Sequence, residues 1–357
     1  MTRHLAKIAL TEMQAELRDQ AMRFCADKSP ISRVRALIQD EPGFDPDVWT
    51  EMADLGWLGI AIPEDQGGLG LELADLVPIV EAMGKHLMSA PFVSTNLAAQ
   101  AILTGGTEAQ KTEWLPKLAS GTIATVALFE PSGAWDLDEV AGTTKTFVMD
   151  LGAAEIVVTT VRHEGETRLA LIPRDRIEAR RETIIDETKR SYTFDVPPFD
   201  ASDLMPVDLT AATLERIELV ANLLQAAELS GAAAACVDYT VDYLKTRKQF
   251  GKLIGAYQAL KHPTVDAFLE AENARSLLYA AATHCEKQGD GEIAVRMANA
   301  KAEGALAYAA DRSIQFHGGF GFTYDCDAQL YRRKAMFAAS QFGDAAFHRA
   351  RLAELLL

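Results

Sequence analysis

The sequence predicts an α+β fold in three parts: an N-terminal helical domain, a middle antiparallel β domain and a C-terminal helical bundle. Three observations carry the prediction. Apolar residues recur at intervals of three and four up to about residue 121. Between about 122 and 206 they give way to short runs of β-branched and aromatic residues separated by turn formers. From 207 long helical patterns return, the longest an alanine-rich, proline-free stretch over 212–250. The domain limits are therefore set at 1–121, 122–206 and 207–357.

Each part has its own signals. The first 20 residues, MTRHLAKIALTEMQAELRDQ, put charges inside an apolar pattern, which reads as an amphipathic helix rather than a signal peptide. FDPDVWTEMADLGWLGI and ELADLVPIVEAMGKHL repeat the helical period. Between them IPEDQGGLGLE, with Pro63 and its glycines, reads as a loop. IATVALFEP, TKTFVMD, AEIVVTTVR, TRLALIP and RSYTFDVP read as strands of a small antiparallel sheet, sandwich or barrel. Alanine at the density of 212–250 lets neighbouring helices approach closely, which suits a bundle and an oligomer interface.

Composition narrows the function classes. Hydrophobic residues make up 48% and charged residues 24% of the 357, a globular mixture. The sequence lacks an uninterrupted apolar run of about 18 residues, so no membrane span is expected. The four cysteines, Cys25, Cys236, Cys285 and Cys326, form no C-x-x-C pair and fit reduced thiols of a cytoplasmic protein. The seven histidines form no H-x-x-x-H or H-E-x-x-H spacing, so no metal is implied. A net charge of -16 disfavours nucleic acid as a partner. The basic runs Arg180-Arg181 and Arg332-Arg333-Lys334 are short enough to be solvated faces.

Two segments carry the sharpest chemical signal. Arg247-Lys248-Gln249-Phe250-Gly251 closes the alanine-rich helix, where an arginine offers a two-pronged donor to a pyrophosphate. Gln315-Phe316-His317-Gly318-Gly319-Phe320-Gly321-Phe322-Thr323 holds paired glycines that let backbone N–H groups approach phosphate oxygens. Taken singly, the second fits a helix C-cap and tight turn equally well.

Together and in this order they resemble the acyl-CoA dehydrogenase family. LGWLGIAIPEDQGGLGLELADLVPIVEAMGK is similar to its N-terminal helical signature, and GTEAQKTEWLPKLASGTIATVALFEP to its entry into the β domain. R-K-Q-F-G and Q-F-H-G-G-F-G-F-T are similar to its two C-terminal hallmarks. The resemblance implies a four-helix bundle after the β domain. It also implies FAD as cofactor and α,β-dehydrogenation of an acyl-CoA thioester. A carboxylate would take the α proton while a β hydride passes to the flavin. By the same resemblance Arg247 and Gln249 face the FAD pyrophosphate, Phe250 beside them also binds the cofactor, and the turn with Gln315, Gly318 and Gly319 holds the adenosine side. Both reach the FAD of a neighbouring subunit in a homo- or hetero-tetramer, with an electron-transferring flavoprotein as acceptor.

The sequence also departs from the family. Its β-domain motif resembles T-E-P-x-A-G-S-D, but here small polar positions have become Phe129 and Trp135. The next motif resembles K-x-W-I-T-N, with Met149 in place of the flavin-facing threonine. Where most relatives carry the base, this chain has Gln341 or Phe342; where a minority carry it, Ala221, followed by Asn222. Two nearby carboxylates, Asp344 and Glu218, are the candidate replacements. Intact elements for a neighbour's FAD beside a degraded pocket of its own imply a subunit whose sister supplies the flavin pocket and base. Such pairs resemble bacterial acyl-CoA dehydrogenases that act on steroid side-chain thioesters. The alternatives are an inactive member that binds flavin and DNA, or a scaffold. The acidic charge opposes the first, and the retained Arg247, Gln249, Gln315, Gly318 and Gly319 oppose the second.

Overall fold

The computed structural model of the chain describes residues 10–137, 142–287 and 290–357. Helices α1 (Glu12–Lys28), α2 (Ile31–Gln39), α3 (Pro46–Asp54), α4 (Val77–Lys85), α5 (Phe92–Gly105) and α6 (Glu108–Ala119) come first. Strands β1 (Ala124–Ala127), β2 (Thr144–Met149), β3 (Ile156–His163), β4 (Glu166–Pro173), β5 (Arg180–Glu182) and β6 (Ser191–Asp195) follow. Then come α7 (Thr210–Thr246), a hairpin of β7 (Lys248–Gln249) and β8 (Lys252–Leu253), α8 (Gln258–Ala282), α9 (Asp290–His317), α10 (Ala328–Ala338) and α11 (Ala345–Leu356). The α+β order of helices, strands and helical bundle is the one expected. By contacts the chain divides into two units. One comprises Met1–Ile31, Val77–Met88 and Asn222–Leu357; the other comprises Ser32–Leu76 and Ser89–Ala221.

The unit that contains the strands is built on two three-stranded sheets, ordered β1-β3-β4 and β2-β6-β5. Pairing is antiparallel except between β1 and β3, which run parallel. Val148, Leu151, Val157, Ile172 and Phe194 form its apolar core. Lys145 is fully buried there, and its Nζ donates to Glu130 Oε1 at 2.6 Å and Thr160 Oγ1 at 2.8 Å. Burial holds that ammonium's pKa below the ordinary lysine value, against the pull of Glu130. Arg190 closes the end of α2 by donating to the carbonyls of Leu37, Ile38 and Asp40. Arg180-Arg181 begin the edge strand β5, which went unread because its side chains are exposed and charged and carry no apolar alternation. They pair with Asp195 and Glu41.

In the other unit α9 packs against α8, α10 and α11. Glycines bring α4 against α7: a Cβ on Gly84 would lie 2.0 Å from the Glu228 carbonyl oxygen, and one on Gly231 1.9 Å from that of Glu81. Beside this crossing the buried Glu81 carboxylate accepts from Arg275 Nε at 2.5 Å and Tyr279 OH at 2.6 Å. Helix α7 is long and apolar enough to cross a membrane by length and composition, yet 83% of its most apolar window is buried within the chain. All four cysteines are buried as free thiols.

Candidate functional site

Arg247-Lys248-Gln249-Phe250-Gly251 does not continue α7 as the alanine-rich pattern predicts. The helix ends at Thr246, and the motif forms the first strand and turn of the β7–β8 hairpin. Phe250 (φ 51°) and Gly251 (φ 81°) are the two central residues between the paired Gln249 and Lys252, a two-residue turn with both dihedrals positive. A bulky residue in the left-handed region is strained, and Phe250 is 92% exposed. Tyr257 steadies the turn. Its hydroxyl donates to the Gln249 carbonyl at 3.3 Å, Lys252 Nζ lies 4.2 Å above its ring, and Phe250 meets it edge-on. The exposed side chains of Arg247 and Gln249 form no hydrogen bond or ion pair among the described residues.

The second motif sits at the end of α9, where Gln315 is exposed and Gly318 opens a short turn with φ 63°. A Cβ on Gly318 or Gly319 would meet no atom of the described residues within 4 Å, so the turn is an open cradle. The two motifs meet through Tyr243 of α7. Its carbonyl accepts from Arg247 N at 2.9 Å, and its ring stacks on His317 with centroids 4.0 Å apart. On the other side His317 stacks on Tyr239 at 4.9 Å. An unpaired guanidinium, an unpaired amide and open glycines at one end of the bundle fit an anionic dinucleotide arriving from outside this chain.

The carboxylates expected near the base position have structural engagements. Asp344 caps α11, its Oδ1 accepting from Phe347 N at 2.7 Å. Glu218 lies half-buried on α7 with a partner of its own. Gln341 is buried, its amide facing Ser340 Oγ at 3.4 Å, and Phe342 takes φ 53°. Ala221 is buried within α7. Sequence reading overlooked Glu303 of α9, beside Asp344, which accepts from Ala345 N; burial pushes its pKa up, with Asp344 adding. It also overlooked a buried polar chain behind this loop. Asn299 Nδ2 lies 2.7 Å from Asn222 Oδ1 and 3.0 Å from His348 Nε2, while Arg296 Nη1 lies 3.3 Å from His348 Nδ1. Their sequence spacing of 77, 49 and 52 residues leaves no local signal.

Among the β-domain positions, Phe129 is buried, and its carbonyl accepts from Thr146 N at 2.9 Å. Trp135 and Met149 are half-buried. A bulge between Lys145 and Val148 adds a residue to β2 just before Met149, with Phe147 at φ 53°.

Comparison with known proteins agrees along the chain. Residues 11–122 match the family model "Acyl-CoA dehydrogenase, N-terminal domain", and residues 209–357 match "Acyl-CoA dehydrogenase, C-terminal domain". "Acyl-CoA dehydrogenase IpdE2" of Mycolicibacterium smegmatis is 31% identical over 94% of this chain and 96% of that protein. A solved structure titled "Tcur3481-Tcur3483 steroid ACAD G363A variant" aligns at TM-score 0.85 with 28% identity, covering 97% of this chain and 98% of that one. The ChsE4-ChsE5 complex from Mycobacterium tuberculosis aligns at TM-score 0.87 with 23% identity over 98% of both chains, a likeness of fold.

Proposed function

The chain belongs to the acyl-CoA dehydrogenase family, oxidoreductases that act on CH–CH bonds, and from that premise we propose that it serves as the FAD-gripping subunit of a heteromeric acyl-CoA dehydrogenase. The observation that carries this reading is the contrast between its two ends. Arg247, Gln249, Gly318 and Gly319 are open and unpaired, whereas the base positions hold Gln341, Phe342 and Ala221. Arg247 would meet a pyrophosphate with a charged bidentate contact, and the Gly318–Gly319 turn would admit the adenosine side. Phe250 would close over it from the strained hairpin. Bound FAD supplies the hydride acceptor that no side chain can provide. A sister subunit of the same family would supply the α-proton acceptor and the flavin-facing hydroxyls. The likeness at 28% identity to a steroid ACAD makes a steroid-derived thioester the first substrate class to try, and an electron-transferring flavoprotein is the proposed acceptor. Asp344 and Glu218 remain the acceptors to test within this chain.

The test is turnover of a panel of acyl-CoA thioesters with an artificial electron acceptor, using FAD-loaded protein. The chain alone should show little or no turnover, because concerted elimination needs a carboxylate within reach of the α proton. Turnover should appear on co-expression with a second family subunit. Robust turnover by the chain alone that disappears in Asp344→Asn or Glu218→Gln would overturn the reading and identify the base.

A further inference from the structure

We infer that His317 is a positioning residue that holds the two FAD-gripping segments in register. The inference rests on the reading that these segments grip FAD. Tyr239 and Tyr243 lie one turn apart on α7 and present their rings to the same side. His317, the last residue of α9, lies between them, tilted 14° from one ring and 25° from the other. The imidazole is fixed in its plane because Nδ1 lies 2.7 Å from the Ser313 carbonyl and donates to it. Tyr239 is fixed in turn, its hydroxyl accepting from Asp327 N at 3.3 Å and lying 3.5 Å from Cys326 Sγ. The imidazole and the Tyr239 ring are therefore anchored, and His317 is buried, 4% exposed, between half-buried tyrosines.

The stack lies directly between the two grips. Arg247 N donates to the carbonyl of Tyr243, so the hairpin begins on the backbone of a residue whose ring belongs to the stack. Gly318 follows His317 without an intervening residue, so the open turn hangs from the middle ring. One turn earlier Thr240 Oγ1 and Ser313 Oγ join the same two helices at 2.7 Å. That bond holds the helix pair whether or not the imidazole is present. What the imidazole adds is the relative placement of the two helix ends, both of which otherwise face solvent. Burial lowers its pKa, against the Ser313 carbonyl and Asp327, and so favours the neutral ring.

The experiment compares the assembled, FAD-loaded protein with His317→Ala, His317→Phe and Arg247→Ala. Flavin fluorescence on dilution gives FAD dissociation, and thermal unfolding of the apoprotein is followed in parallel. Loss of two ring contacts in His317→Ala should weaken FAD retention about tenfold and, because the ring is buried, also lower the unfolding midpoint by a few degrees while leaving the protein folded at the assay temperature. His317→Phe, which keeps a flat ring, should restore most of the retention. If Arg247→Ala loses FAD while His317→Ala retains it, the positioning role is overturned and the grip stands. If both retain FAD as the parent does, the grip itself is wrong. If His317→Phe restores the unfolding midpoint but fails to recover retention, registration by stacking is overturned.

Discussion

At the scale of single residues, the His348 imidazole is fully buried beside the Arg296 guanidinium, and both circumstances disfavour its charged form. Burial and then Arg296 press its pKa down to about 4, against a hydrogen bond with the Gly343 backbone and the pull of Asp344. The unfolded chain titrates near an ordinary 6.5. Above pH 6.5 both states are neutral, and the site is indifferent to acid. As pH falls from 6.5 toward 4 the unfolded state alone takes up the proton, and stability falls. The full gap corresponds to about 3 kcal/mol. Urea unfolding between pH 7.5 and 4.5 should show this slope, and His348→Gln should flatten it relative to the parent. Equal slopes would count against the assignment. Carboxylates also titrate at the lower end, so the difference between the two proteins carries the result.

Residue identities were legible in the sequence only where a motif announced them. Arg247, Gln249, Gln315, Gly318 and Gly319 were proposed that way, because glycine and arginine have few other reasons to recur in those patterns. Asp344 was picked for its nearness to an expected carboxylate, and in the structure its side chain also caps a helix. Nothing in the local sequence distinguishes an aspartate that caps a helix from one that accepts a proton. Tyr239 and Tyr243 were hidden in a helix whose alanines dominate the pattern, and their partner His317 lies more than seventy residues away.

At the scale of elements, periodicity served well where one period ruled. The apolar runs around 124–127, 156–163, 166–173 and 191–195 are strands. It failed where the backbone leaves regular geometry: at the β2 bulge, and at the end of α7. There lysine and glutamine are acceptable to a helix, and only the positive φ at Phe250 and Gly251 turns the chain into a hairpin. The α4–α7 crossing is a different kind of element feature. Gly84 and Gly231 each face the other helix's backbone, so neither helix can receive a methyl group without moving. Gly231→Ala should destabilise the protein by about 1–3 kcal/mol through overpacking. The gain in intrinsic helix propensity, about 1 kcal/mol, would offset part of this on an exposed helix. Equilibrium unfolding in urea measures the net effect. An unchanged or raised midpoint would show that the two helices have room to separate.

At the scale of the whole molecule, the chain passes between its two units four times, at 31/32, 76/77, 88/89 and 221/222. This ordering has a consequence for synthesis. The unit that holds the strands is complete once residue 221 has emerged. Its neighbour then has only α1 and α4 in hand, and the carboxylate of Glu81 awaits Arg275 and Tyr279, 194 and 198 residues downstream. Arg18 of α1, 3.5 Å from Glu81 Oε2, is the one partner among the described residues already made, and desolvating a carboxylate without its other two is unfavourable, so α4 gains its native burial only after α8 has been made. Contacts of such long sequence separation also form slowly. In pulse-labelled hydrogen exchange, amides of α1 and α4 should become protected with those of α8, later than the β3–β4 strands. Protection of α4 alongside β3 and β4 would overturn this order. Until that late step the nascent chain carries an unsealed helix pair near its N-terminus, and there a holding chaperone would find its apolar surface.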